Sequence, residues 1–229
     1  MRIYFVRHGH PDYTKDCLTE LGHKHAAAAA ERLKDSGIER IYSSTMGRAW
    51  QTAEHTAKKL GIDEITPCEF AREISWGAMN DEPIEEKGHP WLLTAKTIRE
   101  GGTLSDQAWR TRENYCNNKL LQTTAHVIEG LDAWLESLGY RREGEFYRVM
   151  EQQPYKTVAL FGHGTASATV FSHLFNIPLP QIIGLLYIDY TCVIVVELPD
   201  RPGELVFPKL VSTDAHHIAG LEIENVYGN

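Results

Sequence analysis

"YFVRHG" (residues 4–9) carries an apolar, aromatic and β-branched run into a guanidinium, an imidazole and a glycine within three residues. Such a run suits a strand buried on both faces, and its end at Gly9 leaves Arg7 and His8 at the strand's carboxyl edge. The same arrangement returns far along the chain, where "ALFGHG" (159–164) is a second apolar strand ending in His163 and Gly164. In an open parallel sheet, ligands sit outside the carboxyl ends of strands at the point where strand order reverses. Two strands that each end in His-Gly would therefore place His8 and His163 at one crevice, provided that they are neighbours.

The sequence around these strands has an alternating rhythm. Thr19 stands as an N-cap with Leu18 as its staple, and opens an alanine-rich helix that runs through Leu33 and stops near Gly37. "IERIYSS" (38–44) reads as a strand, and "GRAWQTAEHTAKKLG" (47–61) as an amphipathic helix closed by Gly61. This repetition predicts an α/β protein, a three-layer αβα sandwich with a mostly parallel central sheet. Residues 63–105 carry Pro67, Pro83, Pro90, Gly101 and Gly102, and predict a long irregular excursion. Helical periodicity returns from Asp106 to about Leu138 in two pieces, with a break expected near Thr123 and Thr124. The segment 140–154 shows no clear period and stays unassigned. A helix after Gly164 is halted by Asn176 and Pro178, and "TCVIVVEL" (191–198) and "ELVFPKLV" (204–211) read as a terminal hairpin. Pro208 would hold the second strand at an edge. The whole, 1–229, is read as a single domain in which 78–155 is a helical insertion, a candidate lid; Trp91, Trp109 and Trp134 are expected in its core.

Composition excludes several classes of function. The 229 residues carry a net charge of −8, with 42% hydrophobic and 24% charged residues, and no run of five Lys or Arg occurs. That balance describes a globular protein with no general affinity for nucleic acid. An anionic ligand must be held by a local cationic pocket. The four cysteines, Cys17, Cys68, Cys116 and Cys192, form no C-x-x-C pair, and are read as reduced thiols of a cytoplasmic protein. Met1 leads directly into a strand, and no apolar stretch approaches the length of a membrane span, so neither a leader nor a membrane partner is expected.

A third strand end, "YSSTMGR" (42–48), supplies Ser43, Ser44 and, in the first turn of the next helix, Arg48. A helix N-terminus favours an anion, and two planar guanidinium forks match the oxygens of a phosphate. Positive charge around His8 keeps its imidazole neutral, so that a nitrogen lone pair can attack phosphorus and form a phosphohistidine. The departing oxygen then needs a proton, which directs attention to the carboxyls of "EFAREISWG" (69–77). Gly164, like Gly9, lets backbone N–H groups approach an anion closely. A competing reading takes His8, His10 and Asp12 as an H-x-H-x-D zinc string, although the fuller form of that string needs a histidine where Tyr13 stands. His10 is expected at a turn or pocket rim. A structural role is expected for His216 and His217.

Taken in order, "VRHG" (6–9), "LTELGHKHA" (18–26), "SSTMGRAWQTA" (43–53), "REISWG" (72–77) and "GHG" (162–164) resemble the motifs of the histidine phosphatase superfamily, the phosphoglycerate mutase-like proteins. The resemblance implies a nucleophilic His8, phosphate-pocket Arg7 and Arg48, a second pocket histidine at His163 and Glu73 as proton donor. It implies no metal and no cofactor. Its chemistry is hydrolysis of a small phosphorylated metabolite or, in the mutases, return of the phosphoryl group to substrate. His10, Pro11 and Thr14 stand where the family shows Glu, Gln or Thr, then Ser or Thr, and finally Asn, which makes Thr14 a candidate phosphate donor. "AMND" (78–81) replaces the family's W-E-G or the mutases' L-Q-G, which favours a phosphatase over a mutase and alters the substrate side of the pocket. Residues 78–155 match no family motif. A homodimer is admitted by the sequence without being specified.

Overall fold

The central strand β1 (Arg2–Arg7) alternates its side chains between two separate apolar clusters. Ile3 and Phe5 enter one, and Tyr4 and Val6 the other. A computed structural model describes residues 1–80, 82–150 and 154–221. After β1 the chain makes a short antiparallel pair, β2 (Pro11–Asp12) with β3 (Cys17–Leu18), and enters α1 (Glu20–Leu33). Thr19 caps α1 as expected, its Oγ1 accepting the Gly22 N–H at 3.1 Å. There follow β4 (Arg40–Ser44), α2 (Gly47–Leu60) and β5 (Ile65–Cys68). Gly61 ends α2 with a φ of 70°, the left-handed geometry that favours glycine.

The middle of the chain holds α3 (Pro90–Arg99), the single turn α4 (Glu113–Cys116), α5 (Leu120–Ser137) and the hairpin β6 (Tyr140–Glu143) with β7 (Phe146–Val149). The last third contains β8 (Thr157–Gly162), α6 (Gly164–Phe175), α7 (Leu179–Leu185), β9 (Val193–Glu197), β10 (Leu205–Val206) and β11 (Lys209–Asp214). Six strands form the main sheet in the order β11-β9-β1-β8-β4-β5. The β1, β8, β4 and β5 strands are mutually parallel, while β9 runs antiparallel to both β1 and β11. One face is covered by α1 and α2, whose small Ala29, Ala30, Ala49 and Ala53 permit close approach. The other is covered by α5 and α6, which completes three layers.

Several expectations need correction. Residues 63–105 are not wholly irregular, because β5 extends the sheet edge and α3 begins at Pro90, the first helical position where a missing N–H does no harm. The helix α5 is continuous through Thr123 and Thr124. The Thr124 hydroxyl donates to the Leu121 carbonyl one turn back at 3.0 Å, and that of Thr123 reaches the Ser75 carbonyl at 2.9 Å as well as the carbonyls one turn back, so both share acceptors with the helix without breaking it. Of the 78–155 stretch, α5 is a flanking helix of the sheet, and Trp134 packs edge-on to the Phe5 and Tyr42 rings in the main core, not in a separate lid. The unassigned 140–154 segment contains the β6–β7 hairpin; its residues 151–153, like Asp81, lie outside the described residues. The terminal hairpin is split. Pro208, lacking an N–H, falls between β10, which pairs with β7, and β11, which pairs with β9 at the sheet edge. No helix among the described residues is long and apolar enough to cross a membrane.

The turn after β1 lies directly on the first turn of α1. A Cβ built on Gly22 would stand 2.1 Å from the His10 carbonyl oxygen, and one on Gly9 would stand 2.5 Å from the Gly22 oxygen. Alanine at position 22 would ordinarily gain up to about 1 kcal/mol of helix propensity. Backbone overlap reverses the sign, and Gly22→Ala is expected to lower stability by about 1–3 kcal/mol in urea denaturation.

Candidate active site

The β1 and β8 strands are direct neighbours, with Arg7 opposite Gly162. His8 is held on both sides: its N–H donates to the Gly162 carbonyl at 3.0 Å, and its carbonyl accepts from Thr191 N–H at 3.2 Å. The His8 and His163 rings lie 5.1 Å apart between centroids. Only 1% of His8 is exposed, and its Nδ1 is 2.7 Å from the Gly9 carbonyl oxygen. A carbonyl can only accept, so Nδ1 carries the proton and Nε2 the lone pair. That lone pair faces Arg48 Nε at 3.3 Å. Burial, then the charge of Arg7, pushes the His8 imidazole well below its ordinary titration range against the opposing pull of the Gly9 carbonyl.

Arg48 lies in the first turn of α2 with its guanidinium 5.3 Å from the centre of the Tyr13 ring. Its Nη1 donates to Asp16 Oδ1, while Asp16 Oδ2 accepts the Gly47 N–H at 2.8 Å. A carboxylate of the protein itself thus occupies the N-terminus of α2 and orients the arginine. Sequence reading missed Asp16, because its partners lie about thirty residues away and no local pattern joins them. Thr52 was also missed. It sits one turn after Arg48, accepts the Gly9 N–H at 3.1 Å and donates to the Arg48 carbonyl at 2.8 Å; the i,i+4 spacing was a usable signal.

Arg7 donates from Nη1 to the Ile188 carbonyl at 2.7 Å and lies over the Tyr190 ring at 4.5 Å. Gly164 opens α6 against it, and a Cβ there would touch the guanidinium at 3.6 Å. His163 Nε2 is 2.8 Å from Ser44 Oγ, which also accepts the Met46 N–H at 3.2 Å. His163 Nδ1, the other ring nitrogen, is buried with no partner among the described residues. Burial, followed by the neighbouring His8, Arg48 and Arg7, keeps this imidazole neutral as well.

Glu73 reaches the first turn of α6. Its Oε1 accepts from Ala166 N–H and from Ile74 N–H, each at 3.0 Å, which sets the carboxylate three residues beyond His163. Arg7, His8, Arg48, His163, Gly164 and Glu73 are thus assembled from four separate stretches of chain.

Thr14 is not joined to them. It is exposed, and its N–H donates to Asp12 Oδ1 at 3.0 Å within the loop between β2 and β3. The H-x-H-x-D string is dispersed too. His10 Nδ1 bonds Thr19 Oγ1 at 2.9 Å, and Asp12 turns its oxygen to the N–H groups of Thr14 and Lys15. Among the described residues no group of three or more His, Cys, Asp or Glu side chains is placed to hold a metal. His217 has a structural place, 3.0 Å from Thr191 Oγ1 and beside the Arg32–Asp214 ion pair, and burial with Arg32 lowers its titration to about 4. It supports Thr191, a β-branched residue held at a φ of 51° immediately behind His8.

Two imidazoles and two guanidiniums meet at the carboxyl ends of the parallel strands and the start of α2, a cationic cluster of the kind that suits an anion. The sequence matches the profile of the histidine phosphatase superfamily (branch 1) over residues 3–209, and the chain belongs to that superfamily. It is 25% identical to a probable phosphoglycerate mutase, GpmB, of Yersinia pestis over 189 residues, 78% of this chain and 76% of that one. Solved structures with the same fold include a mycobacterial glucosyl-3-phosphoglycerate phosphatase, with a TM-score of 0.57 and 20% identity over 91% of this chain and 96% of that one. A phosphoserine phosphatase of Entamoeba histolytica has a TM-score of 0.60 at 20% identity, covering 95% and 98% of the two chains.

The two neutral imidazoles make stability depend on pH with a definite sign. Unfolded histidines titrate near 6.5, whereas His8 and His163 resist protonation in the fold, so below that pH the unfolded chain binds more protons. Their contribution is fully present above the ordinary value and is lost as pH falls through and below it. The urea midpoint is expected to drop between pH 7 and pH 5, and to drop less in His163→Gln.

Proposed function

We propose that the protein is a metal-independent, cofactor-independent phosphatase that hydrolyses a small phosphomonoester through a phosphohistidine at His8. The observation that carries this reading is the Nδ1–H contact of His8 with the Gly9 carbonyl, which leaves the Nε2 lone pair beside Arg48. In the first step Nε2 attacks phosphorus in line with the ester oxygen. A nitrogen–phosphorus bond forms as the phosphorus–oxygen bond breaks, and the departing alkoxide takes a proton from Glu73. In the second step Glu73 accepts a proton from water, the hydroxide oxygen attacks phosphorus, and His8 and inorganic phosphate are released. Arg7 and Arg48 neutralise the equatorial oxygens throughout, with the His163 ring and the Gly164 backbone alongside. Thr14, exposed in the loop between β2 and β3, is given no part in these steps. The assignment suits a cytoplasmic enzyme acting on phosphorylated metabolites.

His8→Ala is expected to reduce kcat by about 10⁴-fold or more, and retained turnover would overturn the mechanism. Arg48→Ala should cost about 10²–10³-fold, the loss associated with one electrostatic donor. Glu73→Gln should slow alkyl phosphates by about 10²–10⁴-fold, and 4-nitrophenyl phosphate, whose leaving group needs no proton, far less. Rapid quench should trap an acid-labile phosphate on wild-type protein and none on His8→Ala, with rates unaffected by a chelator. The name of the Yersinia relative keeps a second reading in view. Conversion of 3-phosphoglycerate to its isomer faster than phosphate release would establish a mutase.

A further inference from the structure

A groove of about 370 Å³ lies between α3 and the segment from α7 to Asp189, with Arg7 in its wall. It runs from that buried arginine out to a rim of large apolar side chains: Leu92, Ile98 (55% exposed), Leu185 (64%) and Tyr187 (69%). Four such residues exposed around one concavity are more than scattered surface hydrophobics, and mark a ligand groove. Two contacts tie this groove to the active site. Arg7 Nη1 donates to the carbonyl of Ile188 in its wall, and Trp91 on α3 donates its indole N–H to Thr165 Oγ1 at 3.1 Å, two residues after His163.

We infer that this groove receives the leaving group of the phosphomonoester, and that the group it selects is uncharged and apolar, an alkyl or aryl moiety. The inference rests on the phosphatase reading and deepens it. Among the described lining residues Arg7 is the one cation, and it serves the phosphate side of the site. A carboxylate on the leaving group would enter a wall that offers no second cation and would face Asp189. Removing such a charge from water without a partner is costly, whereas a hydrocarbon gains from the same surroundings. This chain thereby differs from what the names of its relatives describe, since phosphoglycerate and phosphoserine both carry carboxylates.

Straight-chain alkyl phosphates from ethyl to hexyl vary apolar area while the acidity of the leaving alcohol stays nearly constant. The value of kcat/KM should rise along the series by up to about fourfold per methylene, and hexyl phosphate should exceed 3-phosphoglycerate. Ile98→Glu and Leu185→Glu, at exposed rim positions, should bring the hexyl-to-ethyl ratio close to one. Calorimetric titration of the same esters into His8→Ala reads binding independently of turnover, and hexyl phosphate should again bind more tightly than ethyl phosphate. A flat series in both measurements, or tighter binding of 3-phosphoglycerate, overturns the groove assignment. Length-dependent binding with no ester turned over by wild-type protein sustains the assignment and overturns the phosphatase reading instead.

Discussion

The parallel pairing of β1 with β8, in the register that sets Arg7 opposite Gly162, is the constraint on which the site depends. Both strands end in a histidine followed by a glycine, so this register delivers two imidazoles to one point without any loop having to find its partner. Side chains of a strand alternate between faces, and a slip of one residue would send His8 and the core residues Ile3, Phe5 and Val6 to the wrong sides together. The core and the active site are therefore specified by the same ladder. The Gly162 carbonyl of β8 and the Thr191 N–H just before β9 hold the His8 backbone from both sides, which ties His8 into the sheet itself.

Concentrating two buried guanidiniums beside two imidazoles is electrostatically unfavourable in an unliganded protein, and the structure offsets this in identifiable ways. Asp16 neutralises Arg48 and ties it to the N-terminus of α2. Arg7 is held by the Ile188 carbonyl and the face of the Tyr190 ring. The imidazoles relieve the repulsion by staying neutral, and that state is the one a nucleophile requires. A single environment thus suppresses histidine protonation and concentrates positive charge at the strand ends. The acidic remainder of the protein, net −8 overall, does not alter this, because the groups concerned lie within a few ångströms of each other.

Much of this was legible in the sequence, for physical reasons particular to each element. The β1, β4 and β8 strands stood out because a buried parallel strand is apolar on both faces, and α1 and α2 because Thr19 and Gly61 signal their ends chemically. Arg7, His8, Arg48 and His163 were recognisable because each abuts a strand end or a helix start. What escaped notice was decided over long distances. The β6–β7 hairpin belongs to a separate small sheet with β10 and sends only Tyr140, Tyr147 and Val149 into the core, too few to set a period, and the β10–β11 split follows from the different partner strands on either side of Pro208. The continuity of α5 could not be read from Thr123 and Thr124, because a β-branched hydroxyl pair weakens a helix prediction although each hydroxyl can share a carbonyl one turn back.

By itself the sequence determined the α/β class and the strand ends that carry Arg7, His8 and His163, because hydrophobic period and turn chemistry are local properties. Tertiary structure alone decided that Asp16 orients Arg48, that His10 bonds Thr19 and Asp12 the loop N–H groups instead of sharing one ligand, and that α3 and α7 raise an apolar groove beside Arg7. The physical reason is the same in each case. Charge pairing and concavity depend on which distant surfaces meet, and that is settled by packing the helices onto a finished sheet.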